Sequence, residues 1–244
     1  MKYGLFSDVH ANKQALEAVL DALKNEGVDF YVFLGDIVGY GADPVFCIQA
    51  LRDLIQQKKC IYVAGNHDYA VCGKTNDDRY TRFAREAVDW TKKQLGEDDL
   101  EFLTSMPLVD EQDGFKIVHA NLEYPQEWLY VLDIDDAFPN FRLLDKQICF
   151  YGHSHKPVVF TAAEHVDWSM EEKIPIKEGV KYLINIGSVG QPRDGNPKAS
   201  FAIYDTEARL VEIRRMTYDI PSAQQSIVDS GLPPWLGERL ALGK

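Results

Sequence analysis

Short runs of β-branched and aromatic residues alternate with helical patterns through the first third of the chain. KYGLFS (2–7), FYVFLG (30–35) and CIYVAG (60–65) read as strands, each short, apolar and bounded by polar or glycine-containing turns. Between the first two, Ala15, Leu16, Val19, Leu20 and Leu23 recur at helical spacing. They predict a helix capped by Asn12, running to about Asn25 and stopped at Gly27. A second helix is expected from Pro44 to about Gln57, with proline in its first turn. This strand-helix-strand rhythm predicts a sheet that is at least partly parallel.

Residues 77–105 predict two helical segments broken at Gly96. The pattern then changes: strands are expected at 115–120, 147–152, 157–163, 180–187, 200–205 and 210–216, as in an antiparallel or mixed second sheet. The tail predicts one helix near Ser222 to Ser230 and another after Pro234, so that about 220–242 is helical. With no internal repeat, low-complexity tract or flexible linker, residues 1–244 are read as one domain.

Composition narrows the class. The chain is 45% hydrophobic and 26% charged, as in an ordinary soluble globular protein, and no apolar run approaches the roughly 18 residues that span a bilayer. The opening MKYGLFSDVH lacks the features of a signal peptide, and four scattered cysteines without a CxxC pair suit a reducing compartment. A cytoplasmic protein with no membrane partner is expected. A net charge of −12 argues against a broad grip on nucleic acid, but leaves room for a small anion in a locally positive pocket.

Five of the six histidines sit at or just beyond the end of an expected strand. SDVH places Asp8 and His10 two residues apart, on one face of an extended segment. GDIVGYG offers Asp36, whose two carboxylate oxygens could bridge two cations, and GNHD offers Asn66, His67 and Asp68. The strand FKIVHA ends at His119, and GHSH supplies His153 and His155. In open α/β sheets, ligands collect beyond the carboxyl ends of strands, so these remote segments can converge. Each fragment alone is weak, since a lone histidine is most simply a hydrogen-bonded one. In order and together they ask for a single explanation.

The ordered set DxH, GDxxxxG, GNHD, a strand-terminal His and GHxH resembles the calcineurin-like metallophosphoesterases over residues 7–155, with further similarity to about 205. It looks closest to the small prokaryotic branch related to diadenosine tetraphosphatases and phosphodiesterases. The resemblance implies an α/β fold, a four-layer α/β/β/α sandwich of two mixed β-sheets flanked by helices, with a binuclear centre. One metal would take Asp8, His10, Asp36 and His155. The other would take Asp36, Asn66, His119 and His153, with Asp36 bridging. His67 falls at the catalytic histidine, and Asp68 is the expected partner orienting its ring. Manganese is the first expectation for both divalent ions, followed by iron, zinc, magnesium or nickel, because His, Asp and Asn ligands suit all of them. Two such cations outweigh the two aspartates, so the site is net positive and attracts phosphate. Ions about 3.5 to 4 Å apart lower the pKa of a bridging water to a hydroxide and clamp an in-line displacement.

Departures from the family pattern refine the expectation. Ala120 and Asn121 follow His119 where many relatives have glycine. GDIVGYG lacks the arginine that Ser/Thr protein phosphatases carry after this aspartate, and GNHD stands where those have GNHE, which disfavours that activity. NIGSVGQPRDGNP (185–197) resembles the NPGSVGQPR segment of the small branch, with Ile186 in place of proline. Arg193 either holds a distal phosphate or pairs with Asp194 or another surface acid. Asn12 either reaches the phosphate or only caps its helix. Tyr40, Tyr69 and Tyr124 either stack on a base or pack. His165 reads as a surface residue of a hairpin, and the acidic runs 97–101 and 133–136 as solvated loops or helix starts.

The expected function is therefore a metal-dependent phosphoesterase acting on phosphodiester, phosphomonoester or pyrophosphate bonds of a small phosphorylated substrate, nucleotides included. The alternatives are a non-catalytic scaffold, as in the retromer subunit that resembles this family, and a nuclease.

Overall fold

Adjacent residues of the strands face two different cores. The computed structural model describes residues 1–57, 59–76 and 80–244. Its first half contains β1 (Lys2–Phe6), α1 (Lys13–Asn25), β2 (Phe30–Phe33), α2 (Pro44–Gln56), β3 (Cys60–Tyr62), α3 (Asn66–Cys72), α4 (Arg82–Gln94) and α5 (Glu97–Ser105). Positions 77–79, at the start of the expected helical stretch, lie outside the described residues. The second half contains β4 (Val109–Glu111), β5 (Phe115–Val118), α6 (Ile134–Leu143), β6 (Ile148–Tyr151), β7 (Val158–Ala162), β8 (Val166–Ser169), β9 (Lys173–Pro175), β10 (Lys181–Asn185), β11 (Ala199–Asp205), β12 (Leu210–Met216), α7 (Ile220–Asp229) and α8 (Pro234–Glu238).

Leu5, Val32, Ile148, Phe150 and Ile184 enter a core that draws on both sheets, so the sheets pack face to face. Phe6 and Phe33 turn the other way, beneath Leu16, Val19 and Ile48 of α1 and α2. Cys149, Tyr151 and Leu183 likewise turn outward, against Ala137 and Phe141 of α6. Period-two alternation with apolar residues on both faces therefore produces a helix-sheet-sheet-helix sandwich. This is the α/β architecture expected from the sequence.

The sheet orders are β3-β2-β1-β11-β12-β9 and β4-β5-β6-β10-β7-β8. β11, β12 and β9 thus return to the first sheet, whereas the sequence pattern placed all the later strands in the second. β11 pairs antiparallel with β1, and its buried run Ala199 to Tyr204 suits a central strand covered on both faces. Two segments resolve into helices. GNHD, expected just beyond the third strand, opens helix α3, and the acidic run 133–136, for which a helix start is one alternative, starts α6, which continues through Pro139. His165 is exposed at the β7–β8 hairpin, as expected.

Within the first sheet, β1, β2 and β3 are mutually parallel; within the second, β5, β6 and β10 are. Their carboxyl ends meet at one rim. There the Asp8 N–H donates to Gly35 O at 2.9 Å, and the Gly152 N–H to His119 O at 2.9 Å. Across the sheets, His119 Nδ1 lies 2.8 Å from Leu34 O.

Candidate metal centre

Five of the residues singled out at the strand ends have left-handed backbones: Asp8 (φ 52°), His10 (50°), Asp36 (59°), His153 (66°) and His155 (60°). Such conformations are uncommon outside glycine, cost of order 1–3 kcal/mol each, and persist where surrounding contacts over-determine them. Those contacts are present. The His10 N–H donates to Asp36 O at 3.0 Å, and the His153 N–H to Asp8 Oδ2 at 3.1 Å. Gly65 lies against Asp36 so closely that a Cβ there would fall on the carboxylate. Each turn bends a side chain back toward the rim.

The bends bring Asp8, His10, Asp36, Asn66, His119, His153 and His155 together, all buried. His155 Nε2 lies 3.2 Å from Asp8 Oδ1, and His119 Nε2 lies 3.3 Å from Asp36 Oδ2 and 3.2 Å from Asn66 Oδ1. His10 Nε2 lies 3.8 Å from Asp8 Oδ1 and 3.7 Å from Asp36 Oδ2. Asp8, His10 and His155 have ligand atoms within 4.8 Å of one another; so do Asp36, His119 and His153, and a third overlapping group of His10, Asp36 and His67.

Protons argue for a cation. Nδ1 of His10, His119 and His155 faces the carbonyls of Val38, Leu34 and Gln191 at 3.2, 2.8 and 2.6 Å, so Nδ1 carries the hydrogen in each. Each Nε2 is then a bare lone pair in the neutral ring. Yet Nε2 of His10 and of His155 are 3.1 Å apart, and both face carboxylate oxygens. Lone pairs converging on one another and on two carboxylates repel unless a positive charge lies among them. His153 Nε2, buried without a hydrogen-bond partner, is a further donor atom for such an ion. The donor set of imidazole, carboxylate and amide oxygen suits divalent transition metals.

The electrostatics agree. Burial alone would raise both aspartates, but the surrounding imidazoles outweigh it and hold Asp8 and Asp36 well below the usual carboxylate range. Burial lowers His10 and His155, and with the His119 charge it brings His153 down to about 3. His119 goes the other way: burial opposes its protonation, but Asp36 and Asp8 push it up to about 9. In the absence of a cation, a proton on His119 partly takes its place.

His67 and Asp68 do not pair as expected. The Asp68 carboxylate accepts four main-chain N–H groups, from Gly65 and Asp36 on Oδ2 and from Ile37 and Val38 on Oδ1, at 2.9 to 3.2 Å. His67 Nδ1 is buried with no hydrogen-bond partner, and the ring is held by Tyr40 and Tyr80 at centroid distances of 4.4 and 4.9 Å. Asp68 therefore shapes the loop that presents Asp36. Burial brings His67 down to about 4, so its imidazole is neutral near pH 7.

A cleft of about 230 Å³ opens over Asp36, Asn66, His67, His153 and His155, walled by Tyr40, Tyr80 and Tyr130. Arg193 reaches this cleft, whereas Asn12 does not. The Asn12 Oδ1 accepts from Ala15 N–H at 3.1 Å to cap α1, and its Nδ2 donates to Gly190 O at 2.9 Å. Both polar atoms of Asn12 have structural partners, which favours the capping alternative over phosphate contact. Of the three tyrosines considered, Tyr40 lines the cleft. Tyr69 is buried and donates to Met106 O at 2.8 Å, and Tyr124 is exposed away from the cleft. Tyr80, Tyr130 and Arg239 also line it and carry no motif signal. Tyr130 stacks on His153 at 4.2 Å.

Comparison with known proteins agrees with this picture. A family model described as the calcineurin-like phosphoesterase superfamily domain matches residues 1–209. An uncharacterized protein of Methanocaldococcus jannaschii is 45% identical over 247 residues, 98% of this chain and 97% of the relative. The phosphodiesterase YfcE of Escherichia coli is 26% identical over 219 residues, 86% of this chain and 91% of the relative. Among solved structures, a metallophosphoesterase from Sphaerobacter thermophilus superposes with a TM-score of 0.87 at 38% identity, over 100% of this chain and 99% of that one.

Proposed function

Because the chain belongs to the calcineurin-like phosphoesterase superfamily, we propose that it is a metal-dependent phosphoesterase working at the rim where the two sheets meet. Its substrate on this reading is a small phosphorylated compound, with nucleotides the first class to test, joined by a phosphodiester, phosphomonoester or pyrophosphate bond. The carrying observation is the convergence of imidazole Nε2 atoms from His10, His119 and His155 and two carboxylates on one buried spot. Asp8, His10, Asp36 and His155 would hold one divalent ion, and Asp36, Asn66, His119 and His153 a second. Bound there, such ions supply Lewis acidity and a nucleophile derived from water at neutral pH.

The chain's own residues do the rest. His67 faces the cleft as a neutral ring, so it serves as a hydrogen-bond donor to a phosphoryl or leaving-group oxygen, and an arriving anion raises its proton affinity. Asp68 keeps the Asp36 loop in register. Four free thiols support a cytoplasmic address, and no helix among the described residues is long and apolar enough to cross a membrane. Manganese is the metal to try first.

The test is hydrolysis of bis(p-nitrophenyl) phosphate by manganese-loaded protein, before and after chelation, with metal content measured in parallel. Turnover that chelator abolishes and manganese restores is expected. Fully metallated protein that hydrolyses no mono-, di- or pyrophosphate substrate would instead favour a scaffold role.

A further inference from the structure

The family match ends at residue 209, but the chain continues through α7, α8 and a 3-10 turn, Arg239–Leu242, that folds back onto the cleft. Leu236 and Leu240 are buried with Ala223 and Ile227 against Tyr40 and Ala42. This packing sets the Arg239 guanidinium 6.0 Å from the centroid of Tyr40, with the Arg193 guanidinium 5.6 Å from the same ring. The two chain segments are also tied to each other. The Gly195 N–H donates to Gly243 O at 2.9 Å. Gly243, at φ +61°, sits so close to the next turn that a Cβ would lie 2.7 Å from Asn196 N. The tail is built to hold both arginines over one tyrosine.

Two like charges in one half-buried place repel, and among the described residues no Asp or Glu side chain pairs with either; what they share is the face of Tyr40. Asp194, the acid next in sequence to Arg193, pairs with Arg215 instead. Among the described residues, neither Arg193 nor Arg239 makes a side-chain ion pair. Arg193 donates through Nη2 to Gln191 Oε1 at 2.7 Å, while its Nε is buried without a partner. Arg239 donates through Nε to the Lys244 main-chain oxygen. Burial first, and the Arg193 charge second, bring Arg239 down to about 10.

The order along the cleft is informative. The Arg193 N–H donates to His155 O at 3.2 Å, beside the Asp and His cluster, whereas Arg239 is joined to the cleft wall through Tyr40 and the tail. A single phosphoryl group seated at the Asp and His cluster lies on the Arg193 side of the cleft and leaves Arg239, set over Tyr40 and bonded to the Lys244 oxygen, without an acidic side chain or phosphate to pair with. We propose that Arg193 and Arg239 clamp a second anionic group, so that the substrate class is a compound with two phosphoryl groups, the distal one held by the arginines. This rests on the phosphoesterase reading above and narrows it. The planar, forked donors of guanidinium suit a phosphate edge better than an ammonium would.

The experiment is calorimetric binding of orthophosphate and of methylenediphosphonate, whose P–C–P bridge is not hydrolysed, to the metal-loaded full chain. Metal content is checked in every sample. Wild type should prefer the diphosphonate. Arg239→Ala and Arg193→Ala should each remove about 10- to 100-fold of that preference, the usual effect of losing a charged hydrogen-bond partner. Arg239→Lys, which preserves the charge and the stem that packs on Tyr40, should recover only part of it. An undiminished preference in the variants, or an equal loss for both ligands, overturns the clamp while leaving the phosphoesterase reading in place. If the metal-loaded protein binds neither ligand and also hydrolyses no aryl phosphodiester, both fall together.

Discussion

Asp68 holds four main-chain N–H groups with two oxygens, while the imidazole of His67 faces the cleft between two tyrosine rings. The sequence invites a pairing between these neighbours, but GNHD lies on α3, and consecutive residues of a helix do not face each other. Their substitutions should separate cleanly. Asp68→Asn places an amide NH2 against two N–H donors and should lower stability by about 1–3 kcal/mol, as expected for buried groups left unsatisfied. A lower melting temperature together with weaker metal retention would register it; an unchanged melt would remove the loop-holding role. His67→Ala should retain both metals while kcat falls by roughly 10²-fold, the usual contribution of a positioned donor or acid. Turnover equal to wild type would take His67 out of the chemistry.

At the scale of elements, the parallel strands β1, β2, β5 and β6 were legible because each is a short apolar run followed at once by a polar motif. That coupling also made the site legible, since six of the seven expected ligands lie at strand ends or the turns just beyond, the seventh, Asn66, opens α3, and all seven are brought together. What escaped notice lies where no motif marks it. Tyr80, Tyr130 and Arg239 reach the cleft from a loop before α4, a loop before α6 and the tail, and only packing brings them there. The return of β11 to the first sheet was hidden for a similar reason, because alternation reveals a strand but not its partner. Gly65 links element to site, being the residue between β3 and α3 that approaches the Asp36 carboxylate. Gly65→Ala should therefore displace Asp36 and reduce metal occupancy in elemental analysis. Gly96→Ala, at φ −81° with open space around its Cβ, should retain the metals, and equal occupancy in both variants would contradict the close-approach argument.

For the whole molecule, the cost of this site is a core rim crowded with titratable groups, and it should show in stability against pH once the metals are stripped. His10, His67, His153 and His155 have folded-state proton affinities lowered by burial, with His67 at about 4 and His153 at about 3. Below about pH 6.5 the unfolded chain protonates these four and the folded chain does not, so each removes stability as pH falls. Asp68 opposes them: burial and the Asp36 charge push it up to about 7, so its contribution is present in acid and lost as pH rises through that value. Four histidines against one aspartate leave a net loss toward acid, each unbalanced proton weighing roughly 1.4 kcal/mol per pH unit. His119, pushed up to about 9, stabilises the fold below pH 6.5 and loses that contribution as pH climbs toward 9. The chelated protein should thus melt highest near pH 6.5 to 7 and lose stability on both sides, most steeply in acid. Added manganese should raise the melt strongly at pH 8, where the imidazole lone pairs are free of protons or easily freed, and hardly at all near pH 5. Scanning calorimetry across that range, with and without metal, decides the matter. A chelated protein whose melt is flat from pH 5 to 8 would mean that these histidines are not held in the buried, neutral state described here.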